Sequence, residues 1–126
     1  MTKKIFIIED FETNIRLYKA IFKFIPDIEL IIEKNGLRGL EILKSYDPDL
    51  IILDYKLPGI SGIEICKELR KIEKFQSIPI VAVSSTPIDK DVERESYFLN
   101  AGFDLLFSKP LKVNEFRKII MKFLSK

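Results

Sequence analysis

The sequence lacks histidine and tryptophan and contains a single cysteine, Cys66. Without histidine, this chain cannot form a histidine-based catalytic triad or a histidine-ligated zinc site, and it cannot carry a phosphoryl group on histidine. One cysteine excludes an intrachain disulfide and a cysteine metal cluster. No apolar run approaches the roughly 18 residues of a membrane span. The segment before the first apolar run is too short for a signal peptide. We therefore expect a cytoplasmic protein that does not insert into membranes.

The length and the charge balance are those of one ordinary globular domain. The chain has 126 residues, which predicts a single domain over 1–126. A chain of this length buries about two-thirds of its unfolded surface, so it needs no disulfide or structural metal to fold. The 21 basic residues nearly balance the 19 acidic ones. This net charge of +2 gives no reason to expect direct binding to nucleic acid.

Short apolar runs alternate with helical patterns along the chain. The runs lack the strict polar–apolar alternation of a half-exposed strand, which predicts strands buried on both faces of a parallel sheet. The five predicted strands are residues 5–8, 28–32, 50–53, 80–83 and 103–107. Five strand–helix units of this kind predict an α/β fold with right-handed crossovers and helices on both faces of the sheet.

The predicted helices are marked by apolar stripes and by capping signals. In chain order the marks are a stripe from Ile15 to Ile25 before Pro26, the leucines Leu37, Leu40 and Leu43, the pair Ser61 and Glu64, the dipeptide Thr86-Pro87, and a stripe over 113–124. Ser61 with Glu64 predicts a capping box. Thr86-Pro87 predicts the start of the fourth helix, with threonine as N-cap and proline at the first helical position.

The residues just after the first, third, fourth and fifth predicted strands are the candidates for the site's chemistry. They are Glu9 and Asp10 after the first strand, Asp54 after the third, Ser84 and Ser85 after the fourth, and Ser108, Lys109 and Pro110 after the fifth. In an open parallel sheet, ligands bind beyond the carboxyl ends of the strands, where the strand order reverses. We therefore expect three carboxylates, several hydroxyls and one lysine to lie at one rim of the sheet.

Three carboxylates at one rim require positive charge. Two like charges about 4 Å apart cost about 4 kcal/mol at an effective dielectric constant of about 20. A site with oxygen ligands only suits Mg²⁺, which keeps several waters and accepts a phosphate oxygen as a further ligand. A lysine such as Lys109 is a point charge suited to phosphate. An aspartate beside a metal ion and a lysine can act as a nucleophile towards a phosphoryl group.

These residues resemble the receiver domain of two-component response regulators, of the stand-alone kind found in chemotaxis and cell-cycle control. The matching segments are residues 7–10, 54–62 and 83–85 and the dipeptide Lys109-Pro110, in this order and each at the end of a predicted strand. The resemblance covers essentially the whole chain. It implies a doubly wound, five-stranded parallel sheet with strand order 2-1-3-4-5 and a receiver domain without an attached output domain.

The resemblance also implies a metal site and a phosphoacceptor. Asp54 would be phosphorylated in a magnesium-dependent reaction. Asp10, Asp54 and the backbone carbonyl of Lys56 would hold Mg²⁺, and Glu9 would act directly or through water. The phosphoryl donor would be a phosphohistidine on a histidine kinase or a histidine phosphotransferase. The resemblance implies no enzyme activity other than the domain's own phosphorylation and dephosphorylation.

Lys109 and Ser84 would respond to the phosphoryl group. The resemblance implies that Lys109 contacts the phosphoryl oxygens. Ser84 would hydrogen-bond the phosphoryl group and draw the loop after the fourth strand inward. Ser85 would occupy a position where the family has a small residue. These changes would alter the face formed by the fourth helix, the fifth strand and the fifth helix, and so control binding of a downstream protein that the sequence does not identify.

Two departures from the family pattern concern the switch. The family places an aromatic residue three positions before the lysine, and here that position is Leu106. The interval from Ser84 to Lys109 is also a few residues longer than in the family. We expect the signal to pass through the loop after the fourth strand and the exposed face of the fourth helix. Tyr97 and Phe98 in that helix are candidates to replace the missing aromatic residue, or ordinary core or surface residues.

Other functions fit the sequence less well. A pseudo-receiver would act as a protein-binding module without phosphorylation, but Asp54 and Lys109 are both present. A flavodoxin would need a phosphate-binding loop after the first strand, where Glu9 and Asp10 would repel the phosphate. A phosphatase of the haloacid dehalogenase type would need a second aspartate two residues after Asp54, where Lys56 stands.

The charges near the C-terminus suggest a dimer as one further possibility. Residues 86–104 contain five acidic and two basic residues, whereas residues 109–126 contain six basic residues and one acidic residue. Such regions can complement each other across a symmetric dimer through the fourth helix, the fifth strand and the fifth helix. Surface charge patterns are a weak guide to pairing, and a solvated helix face explains the basic run equally well.

Overall fold

Strands and helices alternate along the chain in the computed structural model, which describes residues 2–85 and 92–125. The strands are β1 (Lys3–Ile8), β2 (Ile28–Glu33), β3 (Leu50–Asp54), β4 (Ile80–Ser84) and β5 (Leu105–Ser108). The helices are α1 (Glu12–Phe22), α2 (Gly36–Lys44), α3 (Gly62–Arg70), α4 (Val92–Ala101) and α5 (Val113–Leu124), with a short 3₁₀ helix at Glu73–Phe75. All strand pairs are parallel, in the order β2-β1-β3-β4-β5. The predicted fold and strand order are confirmed.

The sheet separates two hydrophobic cores. One core lies between the sheet and helices α2, α3 and α4, and it contains Phe6 and Ile8 of β1. The other lies between the sheet and helices α1 and α5, and it contains Ile5 and Ile7. Within the described residues, no helix is long and apolar enough to cross a lipid bilayer.

Burial on both faces holds for the central strands but not for the edges. Every residue of β3 and β4 is buried, as are the last four residues of β1. The prediction is wrong for β2 and β5, whose side chains are mostly part-buried. The reason is their position, since an edge strand has a neighbour on one side only and helices cover it incompletely.

Three local predictions differ from the structure. β5 begins at Leu105, not at Phe103, because pairing with β4 starts opposite Val81; Phe103 is nevertheless buried. α1 ends at Phe22, before Ile25. In α2, the inner side contains Gly36, Gly39 and Leu43, whereas Leu37 is exposed. Successive helical residues are about 100° apart, so Leu37 lies about a third of a turn from the centre of this inner side.

The start of α3 shows the predicted pattern of hydrogen bonds. The Ser61 hydroxyl accepts a hydrogen bond from the Glu64 backbone N–H at 3.2 Å. The Glu64 carboxylate accepts one from the Ser61 backbone N–H at 3.3 Å. The capping box is therefore confirmed. Cys66 is buried in the core. The predicted start of the fourth helix at Thr86-Pro87 lies outside the described residues.

Arg70 joins several segments at the amino-terminal edge of the sheet, a role that its sequence position does not reveal. Its guanidinium donates hydrogen bonds to the backbone carbonyl oxygens of Phe75, Ile78 and Gly102. It also forms an ion pair with Asp104 at 2.8 Å. The Arg70 side chain is 18% exposed, so these contacts are shielded from water. One side chain therefore connects α3 with the segments leading into β4 and β5.

Replacing Arg70 should destabilise the fold. We expect Arg70→Met to lower the free energy of unfolding by about 2–4 kcal/mol, because it removes the donor from several part-buried carbonyl oxygens and from Asp104. Urea denaturation measures this change. The matched control is Arg38→Met, whose side chain is 75% exposed, with an expected change within about 0.5 kcal/mol. Similar values for the two variants would contradict this role of Arg70.

Candidate functional site

The central pair of strands places two carboxylates side by side. The chain leaves β1 towards β2 on one side of the sheet, and β3 lies on the other side of β1, so the strand order reverses between β1 and β3. Ile8 of β1 is in register with Leu53 of β3. The next residues along the two strands are Glu9 and Asp54. The parallel register therefore brings these two side chains to the same rim, at the point where such folds bind ligands.

Asp10 completes a group of three acids. Glu9, Asp10 and Asp54 each contribute one carboxylate oxygen, and these oxygens lie within 4.8 Å of one another. Glu9 is fully buried, Asp54 is 7% exposed and Asp10 is exposed. Glu9 Oε2 accepts a hydrogen bond from the Phe11 backbone N–H at 3.2 Å. The group therefore has a buried side in the sheet and an open side at Asp10.

Lys109 brings one positive charge into this group. Its ammonium Nζ lies 2.9 Å from Asp54 Oδ1 and 3.3 Å from Glu9 Oε1. The Lys109 backbone N–H donates to the Ser84 carbonyl oxygen at 2.8 Å, which fixes the end of β5 against β4. The peptide bond between Lys109 and Pro110 is cis. Among the described residues, Asp10 forms no ion pair, so three carboxylates face one ammonium and two negative charges remain uncompensated.

Burial and mutual repulsion change the protonation of the acids. Burial raises the pKa of Glu9, the charge of Asp54 raises it further, and Lys109 opposes both effects. Burial also raises the pKa of Asp54, against the hydrogen bond and charge of Lys109. Burial alone would lower the pKa of Lys109, but its contacts with Asp54 and Glu9 outweigh burial and raise it. The lysine therefore stays charged, while the ionised acids carry a net cost in the folded state.

The remaining predicted site residues lie around this group. Ser84 is buried at the end of β4, one residue beyond Val83, which pairs with Asp54. Ser85 is exposed. The Lys56 side chain is exposed and ends in an ammonium group without a lone pair, so Lys56 could contribute to a metal site only through its backbone carbonyl. Leu106 is part-buried against the core beneath α2, α3 and α4.

Gly62 allows the start of α3 to pack against the end of β3. A Cβ atom at Gly62 would lie 2.3 Å from the Asp54 carbonyl oxygen, closer than real Cβ atoms approach. The Gly62 backbone N–H donates to the Tyr55 carbonyl oxygen at 2.9 Å. Contacts that only glycine permits therefore hold together the two ends of the loop between β3 and α3.

Two aromatic residues, Tyr55 and Phe98, are in contact near the site. The sequence offered Phe98 of α4 as a candidate replacement for the missing aromatic residue, and the structure buries it. Its ring packs edge-to-face on Tyr55 with centroids 5.0 Å apart. The role of Tyr55 is less visible in the sequence, where the one signal is its position directly after Asp54. Tyr97, the other candidate, is half-exposed.

Comparison with known proteins identifies the family. The sequence profile of the response regulator receiver domain matches residues 5–121. The chain belongs to this family. This is a family of signalling domains rather than of catalytic enzymes. The polar-differentiation response regulator DivK of Brucella ovis is 34% identical to this receiver domain over 124 residues, which are 98% of both chains.

Solved structures share the fold. The signal receiver domain of a histidine kinase from Syntrophus aciditrophicus is 26% identical, with a TM-score of 0.85 over 98% of this chain and 91% of that one. The receiver domain of a sensor histidine kinase from Pseudomonas aeruginosa, solved with magnesium coordinated in its active-site cleft, has a TM-score of 0.84 at 21% identity and full coverage of both chains. At that identity the second likeness shows the fold alone.

The raised carboxylate pKa values predict how stability depends on pH. A carboxyl group with a raised native pKa binds a proton in the folded state before it does so in the unfolded state. Its contribution to the free energy of unfolding therefore increases as the pH falls through the raised native pKa towards the ordinary value, 3.8 for aspartate. In EDTA, we expect Asp54→Asn to be more stable than the wild type near pH 7. This advantage should shrink as the pH falls towards the ordinary aspartate value of 3.8.

Urea denaturation at a series of pH values measures this difference. At each pH we take the difference in the free energy of unfolding between wild type and variant. Groups whose titration the substitution leaves unchanged contribute equally to both proteins and cancel. Asp47→Asn is the control, because the Asp47 side chain is 85% exposed. Its difference curve should be nearly flat. An Asp54→Asn curve that is flat, or that slopes the other way, would show that the ionised Asp54 carries no such cost.

Proposed function

We propose that this receiver domain is a phosphorylation-dependent signalling switch with Asp54 as its phosphoacceptor. The observation that supports this most strongly is the contact of Lys109 with Asp54 inside a group of three acids at the strand-order reversal. Phosphoryl donor and acceptor must be different molecules if the donor is a phosphohistidine, since this chain has no histidine. A histidine kinase or a histidine phosphotransferase would supply it.

The acid group fits Mg²⁺. All three side chains offer oxygen, their oxygens are close together, and two negative charges remain after pairing with Lys109. Exposed Asp10 leaves room for the waters that Mg²⁺ retains. Glu9, Asp10, Asp54 and the backbone carbonyl of Lys56 would hold the ion. Bound there, Mg²⁺ would supply positive charge to the phosphoryl oxygens as they approach.

Asp54 performs the covalent step in this proposal. A carboxylate oxygen of Asp54 attacks phosphorus, a P–O bond forms, and the P–N bond of the phosphohistidine breaks. The imidazole leaves with the electron pair of that bond and takes up a proton. Lys109 favours the ionised Asp54 that this attack requires, and its ammonium then pairs with the phosphoryl oxygens. Glu9, which also contacts Lys109, keeps the ammonium in the site throughout.

The signal would leave the site through β4 and α4. Buried Ser84 lies at the end of β4 and would hydrogen-bond the phosphoryl group, drawing in the connection between β4 and α4. The packing of Tyr55 on Phe98 links the residue after the phosphoacceptor directly to α4. This contact supports a route that does not need an aromatic residue at Leu106. The changed face of α4, β5 and α5 would control binding of a downstream protein. A dimer through the same face and a cytoplasmic location stay predictions.

Acetyl phosphate labelling tests the phosphoacceptor. With Mg²⁺ present, intact-mass spectrometry should show one phosphoryl adduct on the wild type and none on Asp54→Asn. Omitting Mg²⁺ should abolish the adduct, because the acids would then repel the incoming phosphate. Lys109→Met should label at least about tenfold more slowly, since it loses the charge that contacts the phosphoryl oxygens.

The controls separate this function from its alternative. Asp47→Asn, an exposed carboxylate remote from the site, should label like the wild type. Equal labelling of wild type and Asp54→Asn would place the adduct on another residue. A wild type that stays unlabelled with Mg²⁺ would favour the pseudo-receiver, a module that binds proteins without phosphorylation.

Amide chemical-shift mapping with the phosphate mimic beryllofluoride tests the switch. We expect large shifts at residues 84–91 and in α4, and modest shifts at residues 105–107. Phe98→Leu should reduce the α4 shifts, because it weakens the contact with Tyr55, without reducing those at Ser84. The largest shifts in β5, with residues 84–91 unchanged, would contradict the proposed route.

A further inference from the structure

A groove of about 790 Å³ lies between α1 and the edge strand β2, away from the acid group. Its floor contains Ile28, Leu30 and Ile32, alternate residues of β2 that face the core shared with α1 and α5. These side chains are only part-buried. Apolar surface therefore remains accessible beside α1, on the strand that has no neighbour on its outer side.

The rim of the groove is positively charged. Lys19 and Lys23 of α1 and Lys34 after β2 line it, together with one acid, Glu12. Lys34 pairs with Glu12 at 2.9 Å, but both side chains are more than half exposed, so this pair is weak. Neither Lys19 nor Lys23 forms an ion pair within the described part of the chain. The charge favours an occupant with acidic groups along its border.

The shape favours a helix over an extended segment. The floor from Ile28 to Ile32 is about 13 Å long at about 3.3 Å per strand residue, which matches about nine helical residues. One wall is α1 itself, where exposed Ala20 presents a small side chain beside the two lysines. A helix beside α1 would pack at the usual 8–10 Å and continue the helical layer over β2. An added strand would instead pair in the plane of the sheet, outside the groove.

We propose that this groove binds an acidic amphipathic helix of a partner protein. Apolar side chains of that helix, spaced by three and four residues, would cover the floor, and its acidic border would face Lys19 and Lys23. None of the predicted phosphorylation or metal residues lines the groove. The contact is therefore available whether or not Asp54 is phosphorylated, and it could hold a partner near this domain in both states.

A synthetic peptide can serve as the probe. It would have about 15 residues, leucine at the positions of one apolar stripe and glutamate along its borders. Titration into isotope-labelled protein should shift amides at residues 15–23 and 28–34. The charge reversal Lys19→Glu with Lys23→Glu should weaken binding at least about tenfold, and raised salt should weaken it as well. Ala20→Gln should also weaken binding, by narrowing the groove without changing its charge.

Matched controls test the assignment. Lys118→Glu with Lys122→Glu changes the same charge at the same spacing on the exposed side of α5, and it should leave peptide binding nearly unchanged. Acetyl phosphate labelling of every variant should match that of the parent protein, so a failure of this proposal is distinguishable from a failure of the phosphoacceptor assignment. Amide spectra of the free variants verify that each is folded.

Several results would overturn the proposal. Equal binding of a peptide with lysine in place of glutamate would remove the charge argument, and shifts outside the groove would place the peptide elsewhere. Concentration-dependent groove shifts without peptide, together with a dimer mass by light scattering, would identify a second copy as the occupant. Binding to phosphatidylglycerol vesicles without binding of the peptide would identify a membrane surface.

Discussion

The site depends on the placement of Lys109 against two buried carboxylates. The parallel register of β1 and β3 sets Glu9 beside Asp54, where the two carboxylates repel each other. The ammonium of Lys109 reaches both acids from the end of β5, which its backbone hydrogen bond to Ser84 fixes against β4. Four strands must therefore assemble before the acids receive their counter-charge. The strand order of the sheet thus determines which charges meet at the site.

The site has less positive than negative charge. The Arg70 cluster at the other edge of the sheet has a guanidinium that matches an acid and several carbonyl oxygens. The acid group has one ammonium for three carboxylates. The first arrangement stabilises the fold, whereas the second lowers stability and, in the proposed function, would bind Mg²⁺ and a phosphoryl group. In this proposal the two ends of the same strands contribute differently, one to folding and the other to ligand binding.

The sequence predicts the parts of this arrangement that local rules determine. The central strands are buried on both faces, which produces continuous apolar runs, and the strand-end rule places Asp54 and Lys109 at one rim. The edges are less predictable, because the burial of β2 and β5 depends on how far the helices extend over them. The role of Arg70 is not visible in its neighbours, since its carbonyl partners converge only in the folded chain. The groove beside α1 likewise depends on the outer position of β2.

Backbone contacts hold together the two ends of the loop that joins Asp54 to α3. Tyr55 and Gly62 are joined by a backbone hydrogen bond, and the capping box fixes Ser61 to the first turn of α3. A Cβ at Gly62 has no space beside the Asp54 carbonyl oxygen. These contacts hold the start of α3 against the end of β3. Under the proposed function, we expect α3 to keep its position relative to β3 while other elements around Asp54 respond to phosphorylation.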